Sequence, residues 1–308
     1  MKNHAFLITC YKQPKLVARI IRVLSSSNHF FFIHVDKKTE ISPFIEATRN
    51  INNVLFTEQI NVNHARISQL KSELILLYSV RDFEVVNKIK FDYIHLISGN
   101  DYPIRSNEQF DDFFENTNST FMLYDSDQYW AKMKKYEEHT VNDYHLNKGG
   151  LISSIFIKTL GPFLGYVFPR EKIANLSGGW DWWSWNSMTF NYVLDYLDSN
   201  PNYLKRWNHT LCVTEKFFHT LLFDKKQDFN FETWNPLRFV SWKPRRDMGT
   251  NYNPCRPYDL TEAEYDLIIN SKAFFCRKVD EEKSSKLMDM IDSQRGNYYD
   301  IHEHSYFS

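Results

Sequence analysis

The chain has 308 residues, 43% hydrophobic and 17% aromatic, enough to bury a sizeable core as one large domain or two closely joined ones. A formal net charge of -1 with 24% charged residues points away from nucleic acid and from anionic membrane surfaces as partners. Phe, Tyr and Trp are plentiful while Gly is scarce, at 9, a balance shared by sugar-binding proteins and by densely packed cores.

The opening stretch, MKNHAFLITCYKQPK, carries an apolar run far too short for a signal sequence or a membrane span, and no later segment approaches a span without charges. Cys10, Cys212, Cys255 and Cys276 are scattered with no CxxC pair. They read as reduced thiols of a cytoplasmic protein rather than a zinc site or disulfide frame. The sequons at Asn118, Asn175 and Asn208 matter only in a secretory compartment.

HAFLITC reads as a short buried strand, and the segment after it starts a helix at Pro14 with Leu16, Ile20, Val23 and Leu24 at helical spacing. HFFFIHVD is a second buried strand ending in Asp36, and NNVLF a third. ARISQLKSELILLYSVRDF places Ile67, Leu70, Leu74, Leu77 and Tyr78 on one helical face. The strand from Tyr93 to Ser98 then runs into the polar turn Ser98-Gly99-Asn100-Asp101. Ser106 and Gln109 form a capping box that opens NEQFDDFFEN, and STFMLY is the next strand. Strands alternating with helices predict an α/β fold with a mostly parallel central sheet flanked by helices. Open sheets of that kind bind ligands at the carboxyl ends of their strands, where Thr9, Asp36 and Asp101 fall. Neither GxGxxG nor GxxxxGK[ST] is present, which argues against the dinucleotide and P-loop solutions. Periodicity fades from about 125 to 170, a region expected to be an irregular insertion. With no repeat or linker, the chain is expected to be one unit over 1–308, with a nucleotide-binding half at 1–124 and an acceptor- and diphosphate-binding half at 125–308.

Chemistry concentrates in the second half. In LSGGWDWWSW two glycines allow a sharp turn that presents Asp181 among tryptophans, either as a sugar site with Trp180 and Trp182 beside it as platforms for the ring or as a Trp-rich core segment with a solvated Asp. Glu215 opens the helix of VTEKFFHTLLF, with Phe217, Phe218 and Leu221 turned inward, either as a helix-dipole partner or as a general base. Arg238 and the pair Arg277-Lys278 each adjoin apolar residues, the pattern of structural ion pairs or of a diphosphate clamp. Asp125-Ser126-Asp127, after a strand, has the hard-oxygen spacing with which sugar-nucleotide enzymes hold divalent ions, a spacing common by chance in acidic loops. The histidines, among them His34, His64, His139, His145 and His219, lack metal-ligand spacing, and GxSxG is absent.

Taken in order, HAFLITC, NHFFFIHVDKK, HLISGNDYPIRSNEQF, LSGGWDWW, TEKFFHTLL, NPLRFVSW and FFCRKVD resemble the core-2/I-branching β-1,6-N-acetylglucosaminyltransferase family, and most closely its peptide O-xylosyltransferase branch. They cover the chain from about His4 to Asp280. The resemblance implies a GT-A-like fold and an inverting transfer of xylose or N-acetylglucosamine from a UDP-sugar to an acceptor hydroxyl, in surface glycan synthesis. It implies no catalytic metal and no other cofactor, with Arg238, Arg277 and Lys278 offsetting the diphosphate charge instead. It puts Asp36 by the uridine, with Thr9 and Asn63 as further donor contacts, and Asp101, Trp180 and Trp182 in the sugar cleft. Either Glu215 or Asp181 is the base it offers. The family's Trp-Gly or Trp-Ser after the third strand is replaced by VNHAR here. The anchor, stem and disulfide cysteines of the animal enzymes are missing, which implies a bacterial-type relative whose partners are the UDP-sugar and a glycan or other hydroxyl acceptor. Membrane association would then come only through a lipid-linked acceptor. The competing expectations are a metal-dependent transferase using Asp125 and Asp127, a two-carboxylate glycoside hydrolase, and a non-catalytic sugar-binding protein.

Overall fold

The computed structural model describes residues 1–124, 175–208, 210, 212–235, 237–242 and 257–296. Asp125, Asp127, His139, His145, Cys255 and the expected insertion lie outside them.

The first half alternates as its periodicity dictates: β1 (His4–Cys10), α1 (Pro14–Leu24), β2 (His29–Val35), α2 (Ser42–Thr48), β3 (Val54–Phe56), α3 (Ile67–Asn87) and β4 (Tyr93–Ser98). There follow β5 (Asp101–Pro103), α4 (Asn107–Glu115) and β6 (Thr120–Tyr124). Pro14 sits in the first turn of α1, where its missing N–H costs nothing. At α4 the predicted capping box is formed: Ser106 Oγ accepts from the Gln109 N–H, and the Gln109 side chain accepts from the Ser106 N–H. The second half supplies β7 (Gly179–Asn186), α5 (Ser187–Ser199), α6 (Pro201–Arg206), α7 (Thr214–Leu221), β8 (Phe231–Glu232), β9 (Arg238–Val240), α8 (Tyr265–Ile269), β10 (Phe275–Arg277) and α9 (Ser285–Gln294).

Seven strands form the main sheet in the order β3-β2-β1-β4-β7-β6-β8. β3, β2, β1 and β4 run parallel, and β7 is antiparallel to both β4 and β6. Helices cover both faces, so the central strands are apolar on both sides rather than alternating. Phe6 and Ile8 of β1 join one core cluster, with α1, while Ala5 and Leu7 join the other, with α3. The predicted α/β class, with a mostly parallel central sheet flanked by helices, is the one observed.

A second, three-stranded sheet was not anticipated. Its order is β5-β10-β9. Ser98 ends β4 and Asp101 begins β5, so the Ser-Gly-Asn-Asp turn is where the chain leaves one sheet for the other. The turn is tight because Gly99 lies against β1 and α1: a Cβ there would meet Cys10 Cβ and Val17 Cγ2 at 3.0 Å.

One expectation is corrected. The glycines of SGGWDWWSW do not make the sharp turn expected to present Asp181; Gly179 opens strand β7, and Asp181 lies within it. Gly179 is needed because β6 passes so close that a Cβ would fall 1.8 Å from the Leu123 carbonyl oxygen. Trp183 and Trp185 are core residues, stacked with centroids 3.6 Å apart, and only Trp180 and Trp182 remain partly accessible.

Candidate active site

β7 is antiparallel to β4, so its amino-terminal end lies beside the carboxyl end of β4. β10 pairs with β5, placing Arg277 opposite Asp101. Two sheets thus bring Ser98, Asp101, Trp182 and Arg277 together from distant stretches of sequence. Arg277 Nη1 donates to Ser98 Oγ at 2.6 Å and lies 3.2 Å from each Asp101 oxygen. Its guanidinium sits 4.0 Å from the centroid of the Trp182 ring. Charge pairing on one side and a π face on the other fix the fork.

Asp101, expected in the sugar cleft, is instead fully buried: it accepts from the Ser98 N–H as well as from Arg277. A carboxylate with no exposed surface cannot line a cleft; it positions Arg277. Arg238 joins the same charge cluster but is only 6% exposed. Its Nη2 donates to the Leu96 carbonyl at 2.8 Å and its guanidinium lies over Phe275 at 4.7 Å. Burial first, and Arg277 beside it, pull its pKa down to about 10. Lys278 is partly exposed, its Nζ 3.9 Å from Asp259.

Asp181 has the most unusual surroundings. Its Oδ2 accepts from Gln69 Nε2 at 2.8 Å, and the same amide nitrogen is 3.4 Å from Thr214 Oγ1 at the start of α7. Its Oδ1 is buried with no hydrogen-bond partner among the described residues. Burial raises the Asp181 pKa, opposed by Thr214, His64, Arg277 and Gln69. Sequence reading missed a second carboxyl here. Glu73, one turn along α3 from Gln69, is 3% exposed. Burial, and then Asp181 beside it, push its pKa well above the ordinary range. Glu73 sits in an unbroken helical run where nothing local marks it, and only the Gln69–Asp181 hydrogen bond that ties α3 to β7 brings it beside Asp181. Glu215 follows Thr214 in the first turn of α7. The two predicted bases flank Cys212, whose thiol is pushed up to about 12 by burial and then by Glu215 and Asp181. Phe217 and Phe218 are buried as expected, with Leu221 only partly so.

The predicted uridine set gathers at the ends of β1 and β2. Asp36 Oδ1 accepts from the N–H groups of Lys38 and Val62, at 3.0 and 3.2 Å. The Asp36 N–H donates to Cys10 O, next to Thr9, at 3.0 Å. Asn63 follows Val62, its N–H donating to Ser68 Oγ at 2.9 Å. The VNHAR segment therefore closes over the β2 end and carries the chain into α3.

The Core-2/I-Branching enzyme family matches residues 4–268, and the chain belongs to that family. Among curated relatives, xylosyltransferase 1 of Rattus norvegicus is 24% identical over 309 residues, covering 96% of this chain and 36% of that protein. Xylosyltransferase 2 of Homo sapiens is 24% identical over 289 residues, covering 89% of this chain and 31% of that protein. The chain spans about a third of the length of these curated relatives. Among solved structures, apo WbbM bifunctional glycosyltransferase aligns at 12% identity and TM-score 0.39, over 96% of this chain and 50% of that one. Apo mouse xyloside xylosyltransferase 1 aligns at 10% identity and TM-score 0.33, over 91% and 96%. Among the described residues, no helix is long and apolar enough to cross a membrane.

Proposed function

We propose that this chain is an inverting glycosyltransferase, moving xylose or N-acetylglucosamine from a UDP-sugar to an acceptor hydroxyl without a catalytic metal, in surface glycan synthesis in the cytoplasm. The observation that carries this reading is the Asp181 carboxyl. One oxygen is held by Gln69, the other is unpartnered among the described residues, and the group lies close enough to Arg277 to feel its charge. A carboxylate whose proton affinity is raised by burial takes a proton more readily than an exposed one, which suits general-base work.

In the proposed step the acceptor oxygen attacks the anomeric carbon of the donor as the bond to the UDP oxygen breaks. Asp181 takes the acceptor proton, and Arg277 with Lys278 offsets charge building on the departing diphosphate. Arg238, buried and bonded to a backbone carbonyl, contributes through the field it adds beside Arg277 rather than by reaching phosphate. Thr9, Asp36 and Asn63 frame the uridine end, and Trp180 and Trp182 the sugar. Glu215, in the first turn of α7, is the other candidate base and is supported by the family resemblance. A two-carboxylate hydrolase is disfavoured because it has no diphosphate to require the cationic cluster.

The deciding experiment is binding and slow hydrolysis of a panel of UDP-sugars, with and without EDTA, followed by transfer assays with Asp181→Asn and Glu215→Gln. Chelator-insensitive binding of one UDP-sugar, with Asp181→Asn losing on the order of 10²–10⁴ in kcat while still binding UDP, is the expected result. Full activity in Asp181→Asn with loss in Glu215→Gln would reassign the base. No UDP-sugar binding at all would overturn the transferase reading.

A further inference from the structure

At the opposite edge of the main sheet, remote from the site above, lies a second polar cluster. His4 opens β1 and His29 opens β2, and the parallel register sets them side by side. Asp111 reaches them from α4. His4 and Thr9 lie five residues apart on one strand, which at about 3.3 Å per residue separates the cluster from the donor end by roughly 16 Å. Both histidines are fully buried, among Phe6, Tyr93, Phe110 and Phe114.

The hydrogen bonding around this cluster is incomplete in an informative way. His29 Nδ1 is 2.6 Å from the Leu24 carbonyl oxygen, a contact only an N–H can make. A neutral His29 therefore presents a lone pair at Nε2, and that atom faces Asp111 Oδ1 at 2.8 Å. His4 Nδ1 is engaged with His95 Nε2 at 3.0 Å, and His95 Nδ1 in turn with Ser184 Oγ at 2.9 Å. His4 Nε2 is left buried with no hydrogen-bond partner, 3.7 Å from the same Asp111 oxygen. A proton on His29 would satisfy one of these contacts and leave His4 idle. A metal cation would satisfy all three.

We propose that His4 Nε2, His29 Nε2 and Asp111 Oδ1 form a structural zinc site that fastens α4 to the amino-terminal edge of the sheet. Bonds of about 2.0–2.2 Å at tetrahedral angles put ligand atoms about 3.3–3.6 Å apart, and the observed 2.8 and 3.7 Å separations straddle that range. Two imidazoles with one carboxylate suit zinc better than magnesium or calcium, which take oxygen sets. Each histidine has its other ring nitrogen pinned, one by a backbone carbonyl and one by His95, and Asp111 is steadied by Asn28 Nδ2 at 3.2 Å. Outer partners of this kind orient metal ligands. Asp111 is the least buried of the three, so a water from that side completes the tetrahedron.

The test is zinc content and zinc titration of the full chain, purified without a polyhistidine tag. The site predicts about one zinc per chain, uptake of one equivalent by chelator-stripped protein, and a melting temperature several degrees higher with zinc than without. His4→Gln and Asp111→Asn should each weaken uptake by 100-fold or more. Cobalt substitution should give the visible absorption of a tetrahedral centre in the wild type and not in the variants. Stripped wild-type protein that takes up no zinc and melts at the same temperature with and without it would overturn the site, whatever the variants do. So would uptake that survives in a variant carrying both His4→Gln and Asp111→Asn. Neither result bears on sugar transfer, because the site is not part of the active centre.

Discussion

Arg277 shows how much a single side chain can be asked to do. It is tied to Ser98 and Asp101, stacked on Trp182 and felt by Asp181, so its charge is placed before any substrate arrives. Arg277→Lys keeps the charge but loses the fork and the planar stack. We expect it to lower kcat/KM for the UDP-sugar by on the order of 10²–10³, read in a transfer assay, rather than to act as a conservative change. Glu73 makes a different prediction, about stability. Its folded pKa is raised, so the folded state keeps a proton that the unfolded chain releases above the ordinary value of 4.5. The stability this group contributes is present below that value and is lost as pH climbs through the raised folded value. Glu73→Gln cannot release the proton, so its melting temperature should gain on the wild type as pH rises from about 5 to about 8. A gap that stays constant over that range would show that Glu73 does not hold its proton in the folded protein.

At the scale of elements, the informative pair is β6 and β7. β7 carries Asp181 and Trp182 toward the end of β4, and its entry depends on Gly179 because the Leu123 carbonyl occupies the space a side chain would need. Gly179→Ala should force β7 away from β6. It should lower the melting temperature by roughly 5–10 °C, with a loss of transfer activity larger than that destabilisation accounts for. α7 is held to the same strands by His219, whose Nε2–H donates to the Leu123 carbonyl at 3.0 Å. Burial drops the His219 pKa to about 3, so its neutral form contributes stability above the ordinary value of 6.5. That contribution is lost as pH falls toward 3. His219→Gln should therefore flatten the acid limb of the melting profile between about pH 6 and 4. Elements of this kind were legible in outline: the α1 start, the α4 capping box and the apolar face of α3 follow from local spacing. The small sheet of β5, β9 and β10 was not, because three-residue strands carry too short a pattern to separate from loop.

For the whole molecule, two sheets meet at the Ser98–Asp101 turn, and ligand binding there should stabilise the fold that joins them. UDP at 100 times its Kd should add about 2.7 kcal/mol, a rise of several degrees in melting temperature, with the increment unchanged by chelator. An increment that vanishes with EDTA would favour a metal-dependent transferase using Asp125 and Asp127. The sequence by itself determined the class of fold, the order of the main-sheet strands and of α1, α3 and α4 in its first half, the polar turn after Tyr93–Ser98 and the family to which the chain belongs, but neither α2 nor β5. These follow from period, caps and short motifs, which are local properties. Tertiary structure decided the rest. It made Asp101 a buried anchor, turned the glycine-rich segment into a strand and set Glu73 beside Asp181. It also brought His4, His29 and Asp111 within reach of one ion. Each of these depends on which strands lie side by side and in what register, and that is fixed by the packing of both faces of the sheet at once, not by any one stretch of chain.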